Sequence, residues 1–141
     1  MAAWQIWALM SAAFAALTAI FAKVGVAHMN PDAATLIRTV VILIVLTGMV
    51  AATRQFPALA GGSARTYTFL VLSGLATGAS WVCYFRALQM GEASKVAPVD
   101  KFSVVLVAVF AVIFLGERPV PKDWFGIALV AAGVLVLALR W

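Results

Sequence analysis

Five apolar stretches recur along the 141 residues, separated by short polar interruptions, and each is near the length at which an α-helix crosses a membrane. At 1.5 Å per residue, about 30 Å of hydrocarbon requires roughly 20 residues. Hydrophobic residues make up 65% of the chain and charged residues 11%, whereas soluble domains are only about 45–50% apolar. Both faces of every stretch are apolar. A membrane β-barrel would instead alternate over segments of about ten residues. The fold class is therefore all-α, a polytopic membrane bundle of five transmembrane helices.

The breaks set the span limits. Helices are expected over about 4–27, 33–53, 67–90, 95–115 and 124–139. Asn30-Pro31 stops the first, and Asp32 is placed to cap the second. The stretch RQFPALAGGSAR, Arg54 to Arg65, carries Pro57, Gly61 and Gly62 and reads as the longest loop. GEAS and GERPVPKD form the later turns, with Pro98 in the first turn of the fourth helix, where a missing N–H costs little. A single membrane domain over 1–141 is expected. Trp4, Trp7, Tyr67, Trp124 and Trp141 fall near span ends, as interfacial anchors do. Gly74 with Gly78, and Ala128 with Ala132, have the spacing of close helix packing. Met1 to Met10 lacks a basic leader region, so no cleaved signal is expected.

Several function classes lose support. The formal net charge is +5, but Lys and Arg are spread along the chain, so nucleic acid is not an expected partner. Cys83 is alone and His28 has no companion ligand, which leaves no disulfide and no metal site. No Ser/His/Asp set, carboxylate pair or Gly-rich phosphate loop occurs, so neither catalysis nor a cofactor is expected.

The charges inside the spans are the informative residues. Lys23 lies about four residues before the end of the first helix, Arg38 about five into the second, and Arg86 about four before the end of the third. Asp100 and Lys101 lie five or six into the fourth. With alternating helix direction, all five sit roughly 6–9 Å below one surface. Four cations then face one carboxylate. Ionisable groups in a span face the bundle interior or an aqueous cavity and mark a substrate path, so this layer points to a vestibule for anionic or carboxylate-bearing molecules. Lys23 and Arg86 are near enough to the surface to snorkel. Adjacent helical side chains diverge by about 100°. Asp100 and Lys101 are thus expected to find separate partners, Asp100 pairing with Arg38 or Lys23 and Lys101 pointing into the cavity. Trp81 and Tyr84, well inside the third helix, either line the path or pack in the core.

Tyr84, Ala87 and Leu88 close the third helix, Pro98 opens the fourth, Phe114-Leu115-Gly116-Glu117-Arg118 ends it, and Gly126, Gly133 and Val134 punctuate the fifth. This pattern resembles the EamA domain of the drug/metabolite transporter superfamily over nearly the whole chain, most specifically in FLGER and the GIALVAAGVLVL helix. The usual member has two such five-helix units in inverted orientation around a central site. The resemblance therefore implies that this chain is one half of an inverted-repeat transporter, most simply assembling as an antiparallel homodimer. Arg54, Arg65, Arg118 and Lys122 on one side stand against Lys23, Arg86, Lys95 and Arg140 on the other. That near balance suits dual topology. The small multidrug-resistance branch uses a buried glutamate in its first helix; here the first helix carries only Lys23, which disfavours cationic-drug antiport.

The resulting expectation is a multi-pass protein of the bacterial inner membrane, in contact with membrane lipid, that moves a small polar, anionic or zwitterionic metabolite by alternating access. Arg38 and Lys101 would meet this small-molecule substrate, while Trp81 and Tyr84 line its path. Lys23 and Arg86 would attract it, and Asp100 would orient a cation or relay a proton. The alternatives are a non-transporting subunit paired with another half-transporter, and a flippase for lipid or lipid-linked sugar.

Overall fold

The computed structural model describes residues 3–139. Arg140 and Trp141, expected at the membrane interface, lie outside the described residues. Five helical segments are long and apolar enough to span a bilayer: Ala3–Gly25, Pro31–Ala52, Ala64–Met90, Ala93–Leu115 and Pro121–Ala138. We label them α1 (Ala3–Gly25), α2 (Pro31–Ala52), α3 (Ala64–Met90), α4 (Ala93–Asp100) with α5 (Ser103–Phe110) for the interrupted fourth span, and α6 (Pro121–Ala138). No strand occurs among the described residues.

The ends differ from expectation for local reasons. Asn30, not Asp32, caps α2, its Oδ1 accepting from the backbone N–H groups of Asp32 (2.9 Å) and Ala33 (3.3 Å). Pro31 then occupies the first helical position, where its fixed φ suits the helix and its absent N–H is not missed. Ser63 Oγ accepts from Thr66 N–H at 3.2 Å and starts α3 earlier than the apolar run alone indicates. Asp123 accepts from Val120 N–H at 3.0 Å, setting the start of α6 at Pro121. The long loop is more ordered than its composition implies. A 3-10 turn covers Phe56–Ala60, and the Tyr67 hydroxyl donates to Leu59 C=O while accepting from Gly62 N–H. A Cβ at Gly62 would sit 2.9 Å from the Tyr67 ring. Tyr67 is thus a loop clamp as well as an end-of-span aromatic.

The Cα packing divides the chain after Met90 into two units. In the first, α3 packs against both α1 and α2. Its buried residues gather at one end: Ala19, Ala22 and Val26 from α1 and the turn after it, Thr35 from α2, and Phe85 and Leu88 from α3. Val26 and Leu88 are fully enclosed. Thr35, the buried polar residue, returns its hydroxyl to Pro31 C=O at 2.8 Å, so no polar group is stranded there. Elsewhere the apolar side chains point outward, as the hydrocarbon solvent allows. Gly74 and Gly78 find no close-packed neighbour within the described chain. A Cβ built at either meets no atom within 4 Å, so this small-residue face lies open among the described residues.

In the second unit, α6 packs against α4 and α5. Pro98 sits in the sixth position of α4 instead of its first turn, because the helix already starts at Ala93. There its ring clashes with the preceding turn and its missing N–H breaks the ladder. The α-helix stops at Asp100, and i→i−3 bonds take over: Lys101 N–H to Pro98 C=O and Phe102 N–H to Val99 C=O, both 3.0 Å. After α5 a π-helical turn, Ala111–Leu115, leads into Gly116 at φ 68°. This left-handed residue lets Glu117 N–H fold back on Ala111 C=O at 3.2 Å. Gly116→Ala is expected to cost about 1 kcal/mol, seen as a lower thermal midpoint of the purified protein by circular dichroism. No atom would clash with the added methyl, so an unchanged midpoint would show that the left-handed turn carries no strain.

Candidate functional site

Lys23, Arg38, Trp81, Tyr84 and Arg86 lie towards the end of the first unit that holds its core. The α2 register puts Arg38 beside α3, where its guanidinium carbon lies 4.2 Å from the Trp81 ring centroid and 5.5 Å from that of Phe85. Trp81 and Phe85 are four residues apart and so share one helix face. Arg38, Trp81 and Tyr84 are half-buried, and Phe85 is buried. Arg38 forms no ion pair among the described residues.

Arg86 is engaged. Its Nη2 donates to both oxygens of Asp32, at 2.9 and 3.1 Å. The two side chains are 57% and 52% exposed, so this pair sits at the rim of the unit. Asp32 carries a role that its place in the sequence did not disclose. Expected to cap, it is instead a carboxylate in the first turn of α2 that neutralises one of the layer's cations. Its position at a span end beside the end of α3 was the available signal. Lys23 Nζ donates to Leu88 C=O at 2.6 Å, tying α1 to α3. Gln89 adds Nε2 contacts to Val26 C=O (3.3 Å) and Met29 C=O (3.2 Å). The lysine bond satisfies a carbonyl in the last turn of α3, and the Gln89 bonds satisfy carbonyls of the turn after α1. Phe85 and Gln89 carry no charge to mark them in the sequence, although Phe85 stands four residues from Trp81.

In the second unit, Lys101 Nζ lies 3.2 Å from Asp100 Oδ2. The expectation that these neighbours take separate partners is corrected. It assumed an unbroken α-helix, whereas the ladder is interrupted at this point and the long lysine stem curls back to the adjacent carboxylate. Their side chains are 36% and 56% exposed, Asp100 being the more sheltered. Lys95 pairs with Glu92 at 2.9 Å one turn apart. No group of three or more His, Cys, Asp or Glu residues could hold a metal among the described residues.

Chemically, Arg38 is the distinctive group. Stacking occupies the face of a guanidinium and leaves its N–H edges directed outward in a planar fork that matches carboxylate or phosphate. The sequence model of the EamA-like transporter family matches residues 2–139. The chain belongs to the EamA-like transporter family. A Sinorhizobium protein named "Uncharacterized transporter in cobO 3'region" is 62% identical over 136 residues, 96% of each chain. A Yersinia pestis protein named "Probable 4-amino-4-deoxy-L-arabinose-phosphoundecaprenol flippase subunit ArnE" is 29% identical over 73 residues, 52% of this chain and 64% of that one. No solved structure matches the chain. This EamA-family chain is thus a multi-pass membrane protein whose relatives are named transporters or flippase subunits.

Proposed function

We propose that the chain is half of an alternating-access transporter of the bacterial inner membrane, acting as an antiparallel homodimer on a small anionic or zwitterionic metabolite. The observation that carries this reading is Arg38, a membrane-level cation held against Trp81 with no carboxylate paired to it among the described residues. An unpaired charge at this depth is costly unless water or a ligand meets it. A cargo carboxylate would take its N–H edges, with Trp81 and Tyr84 lining the route. Lys23 and Arg86 would then serve chiefly to close the end of the first unit, since both hold partners there. The Asp100–Lys101 pair would open to offer Lys101 to cargo and Asp100 to a proton or cation. The need for a second chain is supported by the open Gly74/Gly78 face, a small-residue surface on which another helix can approach closely.

Proteoliposomes holding this chain alone test the proposal. Uptake of amino acids or organic acids, together with labelling of terminal tags from both sides of intact cells, is the expected outcome. No uptake of any solute, with strictly one-sided tags, defeats it.

A second reading has its own support in the likeness to a protein named a flippase subunit. There the chain would pair with a different five-helix partner and move a lipid-linked sugar, its Arg38 meeting a phosphate. Co-purification of a second, related chain in equal amount would favour that reading over the homodimer.

A further inference from the structure

Beside the turn between the fourth and fifth spans lies a separate open groove of about 430 Å³, within the second unit. Its size falls in the range of small-molecule sites, about 300–1,000 Å³. One wall is apolar. Val104, Val107, Ala108 and Ala111 follow the i, i+3, i+4, i+7 spacing of a single helix face, a strip roughly 10 Å long. The mouth is charged by Glu117, Arg118 and Asp123. Asp123 is occupied by the Val120 N–H. Glu117 and Arg118 are different: they are adjacent, opposite in charge and line the same groove, yet they form no ion pair with each other or with any described residue. The folded-back bond from Glu117 N–H to Ala111 C=O holds the turn over the π-helical segment and keeps both residues at the mouth.

We infer that this groove seats a zwitterionic phospholipid, its phosphate on Arg118, its ammonium on Glu117 and the start of an acyl chain along the Val104–Ala111 strip. The turn joins two membrane spans, so the mouth lies at headgroup level and the strip runs into the hydrocarbon. Charge complementarity selects the headgroup. Two carboxylates against one guanidinium leave the lining one negative charge in excess, which disfavours an acidic lipid and favours one that carries its own cation. Phosphatidylethanolamine suits it best, because its primary ammonium donates hydrogen bonds to a carboxylate, which a quaternary ammonium cannot do. The site lies on other residues than the Arg38 region and stands whatever the transported solute is.

Native mass spectrometry of the purified full chain, titrated with phosphatidylethanolamine or phosphatidylglycerol, tests the assignment. Phosphatidylethanolamine is expected to be retained about tenfold better. Glu117→Gln and Arg118→Gln should each lower that retention about tenfold, the scale of one charge-assisted contact. Val107→Trp, which fills the apolar wall and leaves both charges in place, should do the same and carries the test if a Gln variant fails to fold. Arg65→Gln, next to the long loop after α2, serves as the unaffected control. Equal or better retention of phosphatidylglycerol, or retention that survives either Gln substitution in folded protein, overturns the proposal.

Discussion

Arg38→Ala is expected to reduce solute uptake by about 100-fold while the purified protein keeps its elution profile and thermal midpoint. The size follows from removing a partly desolvated charge that meets an opposite charge, a loss of several kcal/mol in the bound state. Arg38→Lys should recover little of it. A lysine preserves the charge but offers neither a flat face for Trp81 nor a two-pronged edge for a carboxylate. Trp81→Leu should fall between, at about five- to tenfold, because the guanidinium stays and only its stacking platform goes. Uptake and solute-induced stabilisation must fall together; wild-type uptake by a folded Arg38→Ala protein would remove Arg38 from the cargo path. The same variants measured with an anionic and a cationic solute give the sign of the preferred cargo. Only the anionic or zwitterionic solute should lose its uptake.

Leu88→Ala is expected to give the largest loss of stability, about 2 kcal/mol. Leu88 is fully enclosed where α3 meets its neighbours, beside Val26 and Phe85 in a small core. In a soluble protein the loss would include transfer of the side chain to water. In a bilayer the alternative environment is lipid, as apolar as leucine itself, so the cost comes from lost contacts and the cavity left behind. The expected loss therefore sits at the low end of buried leucine truncations. The Lys23 bond is made to the Leu88 backbone carbonyl and survives the change, which isolates the packing effect. Leu75→Ala, at a site 67% exposed on the same helix, should cost almost nothing. Chemical denaturation of both variants in mixed micelles gives the comparison, and equal losses would mean that α3 has no privileged packed end.

Among the charges of the first unit, position along each helix is legible in the sequence but pairing is not. Depth along a span follows from counting residues, and the count alone puts Lys23, Arg38 and Arg86 at one end of their helices. Partners do not follow from it. Depth leaves open the rotation of each helix about its axis and the reach of each side chain, and these decide that Arg86 takes Asp32 and that Arg38 takes aromatic faces instead of a carboxylate. Asp32 reads as a cap because Asp and Asn are both good helix caps, but Asn30 stands one residue ahead of Pro31 and takes that role. Pro98 moves from the first turn to the interior because the helix starts earlier, at Ala93. That shift of two residues in an end point breaks the helix at Asp100 and brings Asp100 to Lys101.

Five membrane crossings and membership of the family are written in the amino-acid order, since hydrocarbon thickness fixes span length and a recurring turn such as FLGER is local. Where the core lies, which charges are neutralised and which stay available are settled only by packing in three dimensions. Those outcomes depend on contacts between residues more than fifty positions apart, such as Arg86 with Asp32 and Lys23 with Leu88. Helix rotation sets such contacts, and in lipid no contrast between an apolar and a polar face betrays that rotation in the sequence.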